Sequence, residues 1–171
     1  MPLLFPKPKK GKKIRLLKPK WIRSGQIKTY DHAVTALKRL ENGSIRAEKS
    51  AYEAILTQVF QKWIRMQGDC VLRNTSKSWK CNRRITAGHV FARAIKQLKW
   101  NEKNCYPQCE ACNMMHQYYP FIYEDWLLQE IGVIEYEEMK SIARKRPYFD
   151  MPLSEIIEKI DMYTNFIQSC V

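Results

Sequence analysis

AGHVFARAIKQLKWNEKNCYPQCEACNMMH, residues 87–116, decides the fold reading, because no single periodicity runs through it. Its beginning alternates. In RITAGHVFA, Thr86, Gly88 and Val90 fall on one side and Ile85, Ala87, His89 and Phe91 on the other, the repeat of a short strand. KWNEKNCYPQC then reads as loop, since Asn101, Asn104 and Pro107 each discourage a regular element. A helix can begin after Cys109. The expectation is an irregular, hairpin-containing unit punctuated by cysteines.

Four of the six cysteines, Cys70, Cys81, Cys109 and Cys112, frame this unit. Thiolates are soft ligands, four of them fill the tetrahedron of zinc, and Cys109-x-x-Cys112 supplies the tight chelate loop such sites use. A filled tetrahedron leaves no open position, so this zinc is expected to be structural, with its binding energy serving as folding energy. Ten residues separate Cys70 from Cys81, wider than the usual spacing, and Cys105 is an alternative fourth ligand. The other reading is of buried, unmetallated thiols. Cys170, near the carboxy terminus, is expected to be a bystander.

Helical periodicity governs the flanks. Residues 31–40 suit a short helix that stops at Asn42-Gly43, and Ser44 is a candidate cap for the next one. There Tyr52, Ile55, Leu56, Val59, Phe60, Trp63 and Ile64 recur at helical spacing and Gly68 ends the run, a stripe that reads as packing. Downstream, FIYEDWLLQEI halts at Gly132, a further helix covers about residues 135–144, and LSEIIEKIDMYTNFIQ aligns Ile156, Ile160, Tyr163 and Ile167. His32 reads as a helix-surface residue. Residues 1–29, with Pro2, Pro6, Pro8 and Pro19 among lysines, predict a flexible basic arm. The fold class expected is α+β, mainly helical: arm 1–29, helical region 30–68, zinc-stapled unit 69–117 and carboxy-terminal helices 118–171.

The net charge of +13 is unevenly spread. Residues 1–30 carry ten Lys/Arg and no acid, residues 70–116 nine against two, and residues 117–171 five against ten. A polyanion is the natural partner for the first two, because counterion release from a phosphate backbone favours Lys and Arg. Arg83, Arg84, Arg93, Lys96 and Lys99 are the candidate nucleic-acid contacts. No apolar run approaches the roughly 18 to 20 residues of a membrane helix, and the amino terminus reverses the order of a secretory signal, so a cytoplasmic location is expected.

His89, among those cations and after Gly88, suits a general base that deprotonates water, and Asn113, directly after Cys112, offers a hard oxygen to Mg²⁺ or Mn²⁺. GHV followed by LKWNEKNCYPQCEACN resembles the HNH, or His-Me finger, nucleases with their ββα-metal unit. The similarity is closer to the phage NinG/Rap recombination nucleases, through FQKWIRMQGDC, AGHV, the N-x-x-x-Q-C-x-x-C-N pattern of residues 104–113, and YEDWLLQEIG. That resemblance spans roughly residues 50–168.

It implies His89 as the water-activating base, Asn113 as ligand of the catalytic divalent ion, and Asn104 as the residue that holds the loop and orients the histidine. Gly88 stands where many HNH enzymes place a metal-ligating Asp, so the second ligand is open; His116 is the candidate, against a phosphate contact or a surface histidine. The function implied is hydrolysis of DNA phosphodiesters, on branched, Holliday-junction-like intermediates, in the cytoplasm of a bacterial host. Symmetric cutting of two strands would favour a homodimer. The alternatives are a non-catalytic zinc-dependent nucleic-acid-binding module, or an HNH enzyme that nicks ordinary duplex DNA.

Overall fold

The computed structural model of the protein describes residues 20–82 and 84–170, so most of the basic arm, and Arg83 among the candidate contacts, lie outside the described residues. Strand β1 (Lys20–Ile22) pairs in parallel with β2 (Ile45–Ala47), Lys20 opposite Ile45. Helix α1 (Tyr30–Glu41) connects them. Thr29 caps α1 by accepting the His32 amide, and the helix ends at Asn42 with Gly43 at φ 70°. The arm expected over residues 1–29 differs from Lys20 onward: Ile27 is buried in the core and Ile22 packs against it, apolar anchors that hold this stretch in place. Ser44 does not cap the second helix. β2 intervenes, and the cap position of α2 (Lys49–Met66) is Glu48.

The main core forms where α2 meets α6 (Leu153–Ser169). Ile55, Leu56, Val59, Phe60 and Ile64 of α2 share one buried cluster with Ile156, Ile160, Tyr163 and Ile167 of α6, and the rings of Phe60 and Tyr163 meet edge-on at 5.4 Å. Each such side chain, fully buried, stabilises the fold by about 1.5–3 kcal/mol. Both stripes have the spacing of one helix face, which is why they zip together along their length.

On this base sits a hairpin. Strand β3 (Ile85–His89) pairs antiparallel with β4 (Cys105–Cys109), Ile85 opposite Cys109 and His89 opposite Cys105. CYPQC is therefore a strand, where the sequence pointed to loop. Pro107 is tolerated because its carbonyl faces outward, accepting the Val71 amide at 3.0 Å, so the absent N–H also points away from β3. Helix α3 (Glu110–Met115) follows at once, then α4 (Pro120–Ile131) and α5 (Val133–Lys145), with Gly132 at φ 82° in the tight junction between the last two. These close a second buried cluster of Leu72, Val90, Leu98, Tyr123, Leu127 and Met139 around Cys70, Cys109 and Cys112.

The architecture is mainly helical α+β with two small sheets. Packing does not follow the expected segment boundaries, since α6 joins α2 in a cluster that also takes Trp100 and Cys105 from the middle of the chain.

Gly88 is constrained by its neighbour. A Cβ there would lie 2.1 Å from Oε1 and 2.9 Å from Cβ of Gln108, a fully buried side chain. Gly88→Ala is expected to destabilise the protein by about 1–3 kcal/mol in urea unfolding, the usual cost of overpacking, with Gln108→Ala restoring part of it in the double variant.

Candidate metal centre and catalytic site

Cys70, in the turn after α2, and Cys81 come from loop segments; Cys109 ends β4 and Cys112 lies in α3. Their four sulfurs all lie within 4.8 Å of one another. Zn–S bonds of about 2.3 Å in a tetrahedron put sulfurs roughly 3.8 Å apart, and Cys81 and Cys112 stand at 3.6 Å. These residues fit a tetrahedral thiolate metal such as zinc. The hairpin explains the convergence: Cys109 turns the strand into α3, its sulfur accepting the Cys112 amide at 3.4 Å, which fixes the C-x-x-C loop. Burial alone would raise the Cys109 thiol, but hydrogen bonds from the backbone at Cys112 and Asn82 and from neighbouring thiols bring it down to about 7. Trp79 donates its indole N–H to the Cys112 sulfur at 3.3 Å, a contact that orients a ligand from outside the tetrahedron.

Cys105 is not a member of this group. It sits opposite His89, its sulfur 3.6 Å from Nδ1, and burial pushes its thiol up to about 12. That removes it as an alternative zinc ligand. Cys170 is exposed at the far end of α6.

His89 closes β3 with its ring near Phe60 of α2, centroids 6.5 Å apart. Nε2 lies 2.9 Å from the Lys99 carbonyl. A carbonyl only accepts, so Nε2 carries the proton and the neutral ring has its lone pair on Nδ1. Burial lowers the His89 pKa, the hydrogen bond to Lys99 opposes this, and the positive charges of Arg93 and Lys99 lower it further. The imidazole is therefore neutral near pH 7, in the form that can take a proton.

Asn104 holds the loop around it. Fully buried, it accepts the Phe91 amide on Oδ1 at 2.8 Å and donates from Nδ2 to the carbonyls of Phe91 and Leu98, both at 3.0 Å, while its own carbonyl accepts the Val90 amide. These bonds clamp the chain on either side of residues 92–97, which carry Arg93 and Lys96, both exposed. Lys99 lays its ammonium over the Trp100 ring at 4.3 Å, and Arg84 pairs with Glu110 at 3.4 Å.

Asn113 is exposed on α3. His116, at the end of the same helix, packs edge-on against Tyr123 at 5.0 Å, and burial lowers its pKa, partly offset by Glu124. Tyr123 in turn donates to the Gly88 carbonyl at 2.9 Å. No hydrogen bond or ring contact among the described residues joins His89 to Asn113 or His116 directly. The two sets meet through Gly88, with His89 turned toward α2 and His116 toward α4. Sequence reasoning missed Trp79; it had Tyr123 and Gln108 within the quoted motifs and Cys105 as an alternative zinc ligand, but not the contacts these three make.

The family model of the bacteriophage lambda NinG protein matches residues 19–170. The chain belongs to the NinG family. The matched span takes in the whole hairpin, the thiol cluster and α6, so these features lie within the NinG region. No curated protein matches the chain. No solved structure matches it either.

The purified protein is expected to hold one tightly bound zinc, read by elemental analysis. Cys109→Ser should lose it and melt well below the native protein, whereas Cys105→Ser and Cys170→Ser should keep full stoichiometry.

Proposed function

We propose that this NinG-family protein is an HNH-type endonuclease that hydrolyses DNA phosphodiesters, acting on branched recombination intermediates. The observation that carries the reading is the state of His89: Nε2 bound to the Lys99 carbonyl, Nδ1 holding the lone pair, and Arg93 and Lys99 beside it to attract a phosphate. A strand pair ending in a polarised histidine, followed by a helix bearing a carboxamide, supports this reading, which takes the hairpin and α3 as a ββα-metal unit.

His89 Nδ1 takes a proton from water as the oxygen attacks phosphorus. The bond from phosphorus to the 3′ oxygen breaks, that oxygen leaves with the electron pair and takes a proton from solvent, and the imidazolium returns its own proton to solvent. The products carry 5′ phosphate and 3′ hydroxyl. Asn104 keeps the base in register by fixing the loop that carries Arg93, Lys96 and the Lys99 carbonyl. Asn113, an exposed hard oxygen donor on a helix anchored at Cys112, would hold the divalent ion, with His116, its pKa lowered by burial, as the candidate second donor. A bound Mg²⁺ or Mn²⁺ would neutralise charge on the phosphate and the leaving oxygen. The phosphate would lie across the end of β3, reached by His89 from the α2 side and by Asn113 and His116 from the α4 side. Two symmetric cuts at a junction call for a homodimer.

A second reading is favoured by one contact, the Cys105 sulfur 3.6 Å from Nδ1. A thiol there satisfies the ring within the fold, as a non-catalytic zinc-dependent nucleic-acid-binding module would have it. Thiols are weak donors, so this contact holds the ring only lightly, and the nuclease reading is preferred.

Plasmid and four-way-junction DNA separate the two readings. The native chain should cleave with Mg²⁺ or Mn²⁺, and His89→Ala should lower the rate about 10²–10⁴-fold, the usual contribution of a general base. Cleavage that persists undiminished in the variant removes the assignment; binding without cleavage by the native chain supports the module. Because His89 is depressed, the rate should rise with pH through an apparent pKa below the ordinary histidine value of 6.5 and then level off.

A further inference from the structure

Beside the thiol cluster the surface is aromatic in a way that neither the core nor the hydrolytic chemistry requires. Trp79 and Tyr119 stack with centroids 5.4 Å apart and planes 30° from parallel, and Tyr119 meets Phe121 edge-on at 6.2 Å. The row runs along the turn between α3 and α4. Phe121 is 56% exposed, Tyr118 66% and Met114, the residue after Asn113, 58%. Trp79 is fixed from below by its bond to the Cys112 sulfur, so the platform is tied to the metal centre.

Next to it lies a cavity of about 390 Å³ lined by Asn74, Thr75, Ser76, Phe121, Trp126 and Asp125. Small polar groups and one carboxylate over aromatic walls suit the edge and faces of a nucleobase, whose exocyclic amino group a carboxylate accepts. The same carboxylate repels phosphate. The cations that would take the backbone, Lys80 and Arg84, are exposed on the adjoining segment, and residues 70–116 as a whole carry nine Lys/Arg against two acids. Aromatic faces stack on any base, whereas paired bases inside a duplex offer no free face.

We propose that the Trp79–Tyr119–Phe121 row, with Tyr118, is a platform for unpaired bases of a DNA strand, by which the protein recognises the opened centre of a branched substrate. This rests on the DNA reading of the same face, yet it concerns binding alone and does not depend on whether His89 cuts.

The test is fluorescence anisotropy of zinc-loaded protein, without added Mg²⁺ or Mn²⁺, on labelled oligothymidylate and on a fully paired duplex of equal length. Tyr118→Ala, a residue whose exposure leaves little packing to lose, and Phe121→Ala should each weaken single-strand binding about tenfold while changing duplex binding less than twofold, and Phe121→Tyr should bind as the native chain does. Unchanged single-strand affinity, or an equal loss on both probes, overturns the platform. So does loss of self-association in sedimentation with single-strand affinity intact, which would make the face a protein interface. Failure of the native chain to cleave DNA, with these affinities behaving as stated, removes the nuclease and leaves the platform standing.

Discussion

The pairing of Ile85–His89 with Cys105–Cys109 is the constraint on which everything else rests. One end of this short ladder delivers Cys109 to the other three thiols; the opposite end delivers His89 to the Lys99 carbonyl and to Cys105. A slip of one residue would exchange the faces of every side chain in it, sending His89 into the apolar cluster under α4 and tearing Cys109 from its partners. The close fit of Gln108 over Gly88 guards against that slip, because only a residue without a side chain fits beneath the amide. Gln108 leaves both its amide atoms without partners among the described residues, so its place in the motif reflects shape more than hydrogen bonding.

Two kinds of support hold the ladder in place. From below, Phe60 and the α2–α6 core give a rigid apolar floor; from above, Tyr123 reaches down to the Gly88 carbonyl. The loop between the strands is too long to order itself, and Asn104 supplies the missing ties with one side chain and one carbonyl. The buried Asn104 amide is fully partnered, which is what allows a polar side chain to sit inside the loop.

Much of this was legible in the residues. The stripes of α2 and α6, the stop at Gly132 and the alternation through His89 are strong periodic signals, and the structure realises each. Four cysteines with a C-x-x-C pair pointed to the thiol cluster despite the wide gap from Cys70 to Cys81, because a loop of any length can close on a fixed point. Local rules failed where tertiary partners overruled them. Pro107 reads as a strand breaker until the outward direction of its carbonyl is known, and the stretch from Lys20 reads as disordered until Ile22 and Ile27 are seen to be anchored. Trp79 carried no local signal at all, and Tyr123 stood only as the start of a motif, since what matters about them is which distant atom they reach.

The partnership of α2 with α6 has a consequence for how the protein comes to exist. The floor beneath His89 is made from two helices with almost ninety residues of chain between them, from Met66 to Leu153. During synthesis the apolar stripe of α2 emerges long before α6 can cover it, and contacts of such long range form slowly. A chain cut short before α6 therefore has no seat for its histidine. The hairpin that carries His89 would gain its floor only once α6 has been released, so the order of elements along the chain sets when the site is assembled.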